Sequence, residues 1–381
     1  MNPTPNAPVP FRHLPFLDGL RAVSILVVLT WHSHGPLRTL GARLSGWSGV
    51  DVFFVVSGFL ITALLLKEQA ETGTVSFRGF YLRRALRIMP AYYVFLAAIL
   101  LFYGPGASEA VGIAALYLSN YDAALGDRLT NTVPLGHTWS LAIEEQFYLL
   151  WPLTLWLAGR RALVVTLTTI GAVIAWKLWH IRGGSPEHLL WFRLYYAFDT
   201  RADSLLIGCA AALLWMQPAV RAAVTSGLAG RWTAALPVIA LLYSMQYMAA
   251  AGRGQHFWCV LVPMHSVLVA LLIWAMLAVP TGPVAATLSH PAATWLGRRS
   301  YSLYLWQMPL MDLGFAAAVA LLPAGPWVGW AADAAGIGLS LAAAELSYRL
   351  VEQPFLRLKD AWGRRPAPQP ATTAAAPATT T

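Results

Sequence analysis

Charge is scarce in this chain. Of its 381 residues only 11% are Asp, Glu, Lys or Arg, against about 25% in an ordinary soluble domain. So few charges cannot coat a water-facing surface, which excludes a soluble enzyme, a disordered protein and a nucleic-acid-binding domain. Cysteine is nearly missing as well. Cys209 and Cys259 both sit in apolar runs, too sparse for a disulfide framework and without metal-ligand spacing. Nor is there a GxSxG elbow, an HExxH pair, a Walker loop or a GxGxxG turn. Chemistry must come from His, Arg and carboxylates. Positions 1–10 are Pro-rich and carry no basic residue, so they lack the n-region of a signal peptide, and the first apolar segment reads as a retained helix.

What the chain has in abundance is apolar length. Hydrophobic residues make up 57% of it, and the mean hydropathy is +0.56. Apolar runs fall at about 20–34, 50–67, 89–103, 141–158, 162–181, 199–216, 232–250, 257–279, 300–322 and 327–350. At roughly 20 residues per crossing, the expectation is an all-α, polytopic membrane helical bundle of about ten transmembrane helices. A further run, 107–120, is short and polar-ended, and reads as re-entrant or interfacial. The net charge of +9 then sets topology rather than a nucleic-acid partner. With both termini cytoplasmic, 18 of the 26 Lys and Arg residues face the cytoplasm, Arg160 and Arg161 among them, and 8 face out, as the positive-inside rule requires. The expected organisation is a short cytoplasmic N-terminus (1–13), a membrane domain (14–358) and a disordered cytoplasmic tail rich in Pro, Ala and Thr (359–381).

Ionisable residues inside such runs are functional candidates by default. The first run, LDGLRAVSILVVLTWHSH, carries Arg21 and His32 eleven residues apart, hence on about one helix face and roughly 16 Å apart along the axis. The bland alternative is a snorkelling Arg and an interfacial His. In RRALRIMP, Arg84 and Arg87 share a face, with Arg83 beside them. The cluster is either positive-inside charge or a phosphate clamp, since guanidinium pairs with phosphate in a bidentate way. In HTWSLAIEEQFYLLWP, Glu144 and Glu145 lie among apolar residues near the helix start, with His137 and Trp139 before them and Ser140 as a candidate cap. Asp51 opens GVDVFFVVSGFLIT, where Ser57–Gly58 permits a close helix crossing. Arg201 and Asp203 in DTRADSLLIG read as a structural ion pair, and structural roles are favoured for Asp51, Glu345 and Glu352.

Taken in order, these motifs resemble the integral-membrane acyltransferase 3 family, whose bacterial members O-acylate surface polysaccharides and some antibiotics. RADSLLIG, GRRSYSLYLWQMPL and SYRLVEQPF extend the resemblance over nearly the whole membrane domain. It implies an O-acyltransferase of the bacterial cytoplasmic (inner) membrane, with His32 and Arg21 as the essential pair. It further implies that Arg84 and Arg87, with Arg83, serve acyl-CoA, and that Glu144, Glu145, Trp139, His137 and Asp51 lie on the acceptor side. Acetyl-CoA is the implied donor, a surface polysaccharide or lipid-linked sugar the acceptor, and no metal or nucleic acid is implied. The chain departs from the family at Gln307, where many members have His. Some members also carry a C-terminal esterase-like domain, which is not expected here.

On that basis His32 acts either as general base on the acceptor hydroxyl or as acyl carrier, and the two stay open. A small hydrophobic acceptor such as a macrolide is an alternative within the family. A proton-coupled secondary transporter is the alternative from another class.

Overall fold

The fold follows from those runs closing on one another as helices. A computed structural model describes residues 14–126, 129–227, 233–250 and 257–362. The expected N-terminal segment 1–13 and the tail beyond 362 lie outside the described residues. Among the described residues there is no strand. Each of the ten apolar runs falls on a helix: α1 (Pro15–Trp31), α2 (Ser48–Thr72), α3 (Phe77–Tyr103), α4 (Trp139–Ala158), α5 (Ala162–Trp179), α6 (Phe198–Trp215), α7 (Ala235–Ala250), α8 (Val262–Ala278), α9 (Pro291–Leu321) and α10 (Trp327–Ser347).

Among the described residues six helical segments are long and apolar enough to cross a membrane, or up to seven if one bent pair of helices is a single span. One of the six, Gly136–Gly184, has 49 residues. Straight, it would measure about 74 Å, enough for two crossings, and Gly159 at φ 50° breaks it between α4 and α5. The 17-residue α1 and 16-residue α7 are shorter than a full crossing. Run 107–120 does not form a span. It breaks into Ser108–Ala115 and Ser119–Ala124 around Tyr117, at φ 54°. Gln146 of α4 ties this segment down by donating to the Tyr117 carbonyl and to Asn120 Oδ1, each at 2.9 Å.

The main core gathers buried residues of α1, α2, α3, α4, α6 and α9, among them Ile25, Phe54, Tyr92, Phe95, Ile143, Leu205 and Leu303. A second packs α2 and α6 against α8. The α2–α6 crossing is close because it uses glycine from both sides. A Cβ on Gly58 would lie 1.9 Å from the Leu205 carbonyl oxygen, and one on Gly208 would lie 2.1 Å from that of Val55. The outer surface is apolar, with Leu101, Phe102, Trp156 and Leu157 exposed, as lipid contact requires.

Candidate active site

His32 is built into the end of α1. It is the C-cap residue, and its backbone N–H reaches the Val28 carbonyl. Its ring Nδ1 lies 3.1 Å from that same oxygen. A carbonyl only accepts, so a neutral imidazole carries its proton on Nδ1 and keeps the lone pair on Nε2. The turn that follows is anchored by Asp333 of α10. Its Oδ1 accepts from Ser33 Oγ at 2.5 Å and from the Gly35 N–H at 2.9 Å, and its Oδ2 accepts from the Leu37 N–H at 3.0 Å. Asp312 of α9 holds His34 Nε2 at 2.7 Å.

His32 opens on a cavity of about 120 Å³ that also takes in His137, Asn131, Trp31, Trp47, Trp139, Tyr195, Tyr196 and Tyr304. His137 sits in the 3₁₀ turn Gly136–Thr138 just before α4. Its ring stands edge-on to Phe95 of α3 and Tyr304 of α9. Tyr304 donates to the His137 carbonyl at 2.9 Å, and its hydroxyl lies 2.7 Å from Ser140 Oγ. Ser140 therefore braces Tyr304 and does not cap α4, whose N-cap residue, Thr138, makes no side-chain cap bond. Gln307, fully buried, faces His32. The position where the chain departs from the family pattern thus abuts the histidine on which the chemistry is expected to turn.

Towards the other end of α1, charged side chains gather from α1, α3 and α4 and from the helical turn Tyr348–Glu352 after α10. Arg21, Arg84 and Arg87 are close enough to act on one another or on Glu144, Glu145 and Glu352 through their charges. All three arginines are half-buried, and among the described residues none makes an ion pair within 4.0 Å. Arg84 instead lies over the Tyr148 ring at 4.4 Å. Glu144 accepts from Ser57 Oγ at 2.6 Å, and Glu352 accepts from Ser302 Oγ. Arg83 points away and pairs with Glu68 at 2.7 Å.

The structure thus brings Arg21, Arg84 and Arg87 together, and it brings His32, His137 and Trp139 together. Glu144 and Glu145, expected on the acceptor side, lie within electrostatic reach of the arginines. Each lies about two helical turns beyond His137, or roughly 10–12 Å, so a position near the helix start in sequence is already well down α4. Asp51 does not reach the cavity. It is sealed against Arg201 of α6, with both side chains fully buried. Arg201 and Asp203 are not each other's ion-pair partners either, because Asp203 takes Lys177 of α5 at 2.5 Å. Two residues apart on a helix point in different directions. Asp333, Tyr195, Tyr196 and Tyr304 were not singled out in the sequence. Asp333, a lone acid within an apolar run, carried a usable signal, but the tyrosines did not. Among the described residues no three His, Cys, Asp or Glu side chains converge to hold a metal ion.

A family model described as an acyltransferase domain matches residues 14–348, and the chain belongs to that acyltransferase 3 family. The peptidoglycan O-acetyltransferase OatA of Listeria monocytogenes is 30% identical over 380 residues, covering 90% of this chain and 56% of the relative. The "Putative peptidoglycan O-acetyltransferase YrhL" of Bacillus subtilis is 32% identical over 370 residues, covering 90% of this chain and 55% of the relative. The chain spans just over half the length of these relatives. No solved structure matches it.

Proposed function

We propose that this membrane acyltransferase moves an acetyl group from acetyl-CoA to a hydroxyl of a glycan on the far side of the bacterial cytoplasmic membrane, peptidoglycan being the first candidate. The observation that carries this reading is the alignment of two sites along α1. A cluster of three arginines in no ion pair lies at one end, and a histidine with its Nδ1 tied to the backbone, lining a small aromatic cavity, lies at the other. Arg84 and Arg87 hold CoA phosphates, and the pantetheine arm runs beside α1 towards His32. The separation of roughly 16 Å suits an extended arm. Arg21 orients the donor, keeping its charge at any working pH. The arginine end faces the cytoplasm, where CoA is made, and the positive-inside charge distribution supports that orientation.

The cavity supports a short acyl group. At about 120 Å³ it has room for an acetyl group and a sugar hydroxymethyl. The aromatic walls suit the apolar face of a sugar ring. Both relatives' names carry peptidoglycan O-acetylation, which supports that acceptor as the first candidate.

The test is purified protein in proteoliposomes, with acetyl-labelled CoA on one side and a soluble peptidoglycan fragment on the other. Ester-linked label on the glycan, lost on mild base, is the expected result. Release of CoA with no acceptor acetylated, or movement of an unmodified solute, would overturn the reading.

A further inference from the structure

His137 is a buried imidazole without a partner. It is 3% exposed, and neither ring nitrogen makes a hydrogen bond. Leaving a buried polar group without a partner is destabilising, and here that falls on both nitrogens of one ring. The ring is held chiefly by aromatic edges, and the Leu305 backbone beside it falls short of a well-formed hydrogen bond. It lines the same cavity as His32, near enough for charge on one ring to act on the other. The two differ in how they are held. His32 has one nitrogen tied to the backbone and Gln307 beside the ring, while neither nitrogen of His137 makes a well-formed bond.

We propose that the two histidines divide the reaction, with His32 carrying the acyl group and His137 acting as general base on the acceptor hydroxyl. This rests on the acetyl-CoA-dependent transfer proposed above and deepens it. A single base would suffice for direct transfer, whereas a second unpartnered imidazole in the same small cavity supplies the base that an acyl-carrying His32 can no longer be. In the first half-reaction His32 Nε2 attacks the thioester carbonyl carbon. The C–N bond forms, the C–S bond breaks, and CoA leaves as the thiolate. In the second, the acceptor oxygen attacks the acyl carbon while its proton passes to His137. The new C–O bond forms, the C–N bond breaks, and the electron pair returns to Nε2. His137 then gives its proton to water and the thiolate takes one from water. Both imidazoles end neutral, and no oxidant or reductant is needed.

Native mass spectrometry of the wild-type protein mixed in the cold at neutral pH with acetyl-CoA, without acceptor, reads the first half-reaction. The expected result is one acetyl group, which the His32→Gln protein does not gain, and one equivalent of CoA released in a burst. His137→Gln should keep that burst and accumulate the adduct, while transfer to a peptidoglycan fragment falls by about 10²–10⁴-fold. His137→Ala should regain part of its transfer on addition of free imidazole, which a merely structural role would not allow. Wild-type turnover with no adduct on His32 would overturn the division of labour and leave the transfer reading standing, however the variants fold. Transfer by His137→Gln at the wild-type rate would overturn it too. A wild-type protein that never acetylates the glycan would instead sink the transfer reading itself.

Discussion

Asp51, Lys177, Arg201 and Asp203, on α2, α5 and α6, are sealed and paired, whereas Arg21, Arg84 and Arg87, on α1 and α3, are half-buried and in no ion pair among the described residues. Asp51 with Arg201 and Asp203 with Lys177 are all fully buried, and Lys177 Nζ also donates to the Trp258 carbonyl at 3.2 Å. Arg21, Arg84 and Arg87 crowd one another, half-buried and, among the described residues, without a carboxylate at pairing distance. Both sets are costly in a membrane, but they are compensated differently. In the sealed set each charge finds its counter-charge inside the chain, which makes it architecture. In the other set Glu144, Glu145 and Glu352 lie near without closing an ion pair, which leaves room for the anion proposed above. Intramembrane charge alone does not mark an active site, and the state of its partners does.

The comparison is broken most severely at the cavity end of the half-buried region. His32→Gln keeps hydrogen-bonding capacity but offers neither a titratable base nor a nucleophile. Transfer should fall by at least the 10²–10⁴-fold that such a group supplies, with expression and helical content unchanged by circular dichroism. A well-folded His32→Gln protein that acetylates at the normal rate would remove the basis for treating the two regions differently.

The sealed region should respond in stability instead. Arg201→Leu strands the Asp51 carboxylate and should cost about 3–5 kcal/mol, read as a lower unfolding temperature in detergent. Removing both charges, Asp51→Leu with Arg201→Leu, should recover most of that loss, because a pair replaced by apolar residues is often neutral. A double variant as unstable as the single one would mean that Arg201 has work beyond Asp51, and the claim that this set is architecture would fail.

Much of this contrast was legible in the sequence. The ten helices were, because each needs only a long apolar run. The faces of α1 and α3 were too, because Arg21 with His32 and Arg84 with Arg87 are local spacings on one helix. What was not legible is everything that depends on how helices meet. Asp203 sits two residues from Arg201 in sequence, yet it pairs with Lys177 of α5. Glu144 reads as acceptor-side from its place near a helix start, yet α4 carries it down beside the arginines. The aromatic cavity draws on α1, α4 and α9 and on the segments before α2 and α6, which no single run announces.

Binding distinguishes the two regions more gently. Arg87→Ala removes one charged contact to a CoA phosphate, worth about 1.5–3 kcal/mol, so acetyl-CoA affinity should fall roughly 10- to 150-fold. Unfolding temperature should hardly move, since Arg87 has no ion-pair partner to strand. Titration of acetyl-CoA into folded protein checks this. Unchanged affinity would return the arginine cluster to a topological role.

The smallest effect is expected where the two regions overlap in character. Asp333 is buried and fully engaged, like the sealed set, yet what it holds is the turn directly after His32. Asp333→Asn keeps the shape and one acceptor oxygen but turns the other atom into a donor, which faces Ser33 Oγ and the Gly35 N–H or else the Leu37 N–H. At least one backbone bond is lost and the turn shifts by a fraction of an ångström. A full 1 Å misplacement can cost about 10²-fold, so turnover should fall within about tenfold. The KM for acetyl-CoA should stay put, because the arginines lie roughly 16 Å down α1. The same change should lower the unfolding temperature less than Arg201→Leu does, since no charge is left stranded. A fall in acetyl-CoA affinity matching the fall in turnover would show that the turn and the arginine cluster move as one body, and that the line drawn between them is in the wrong place.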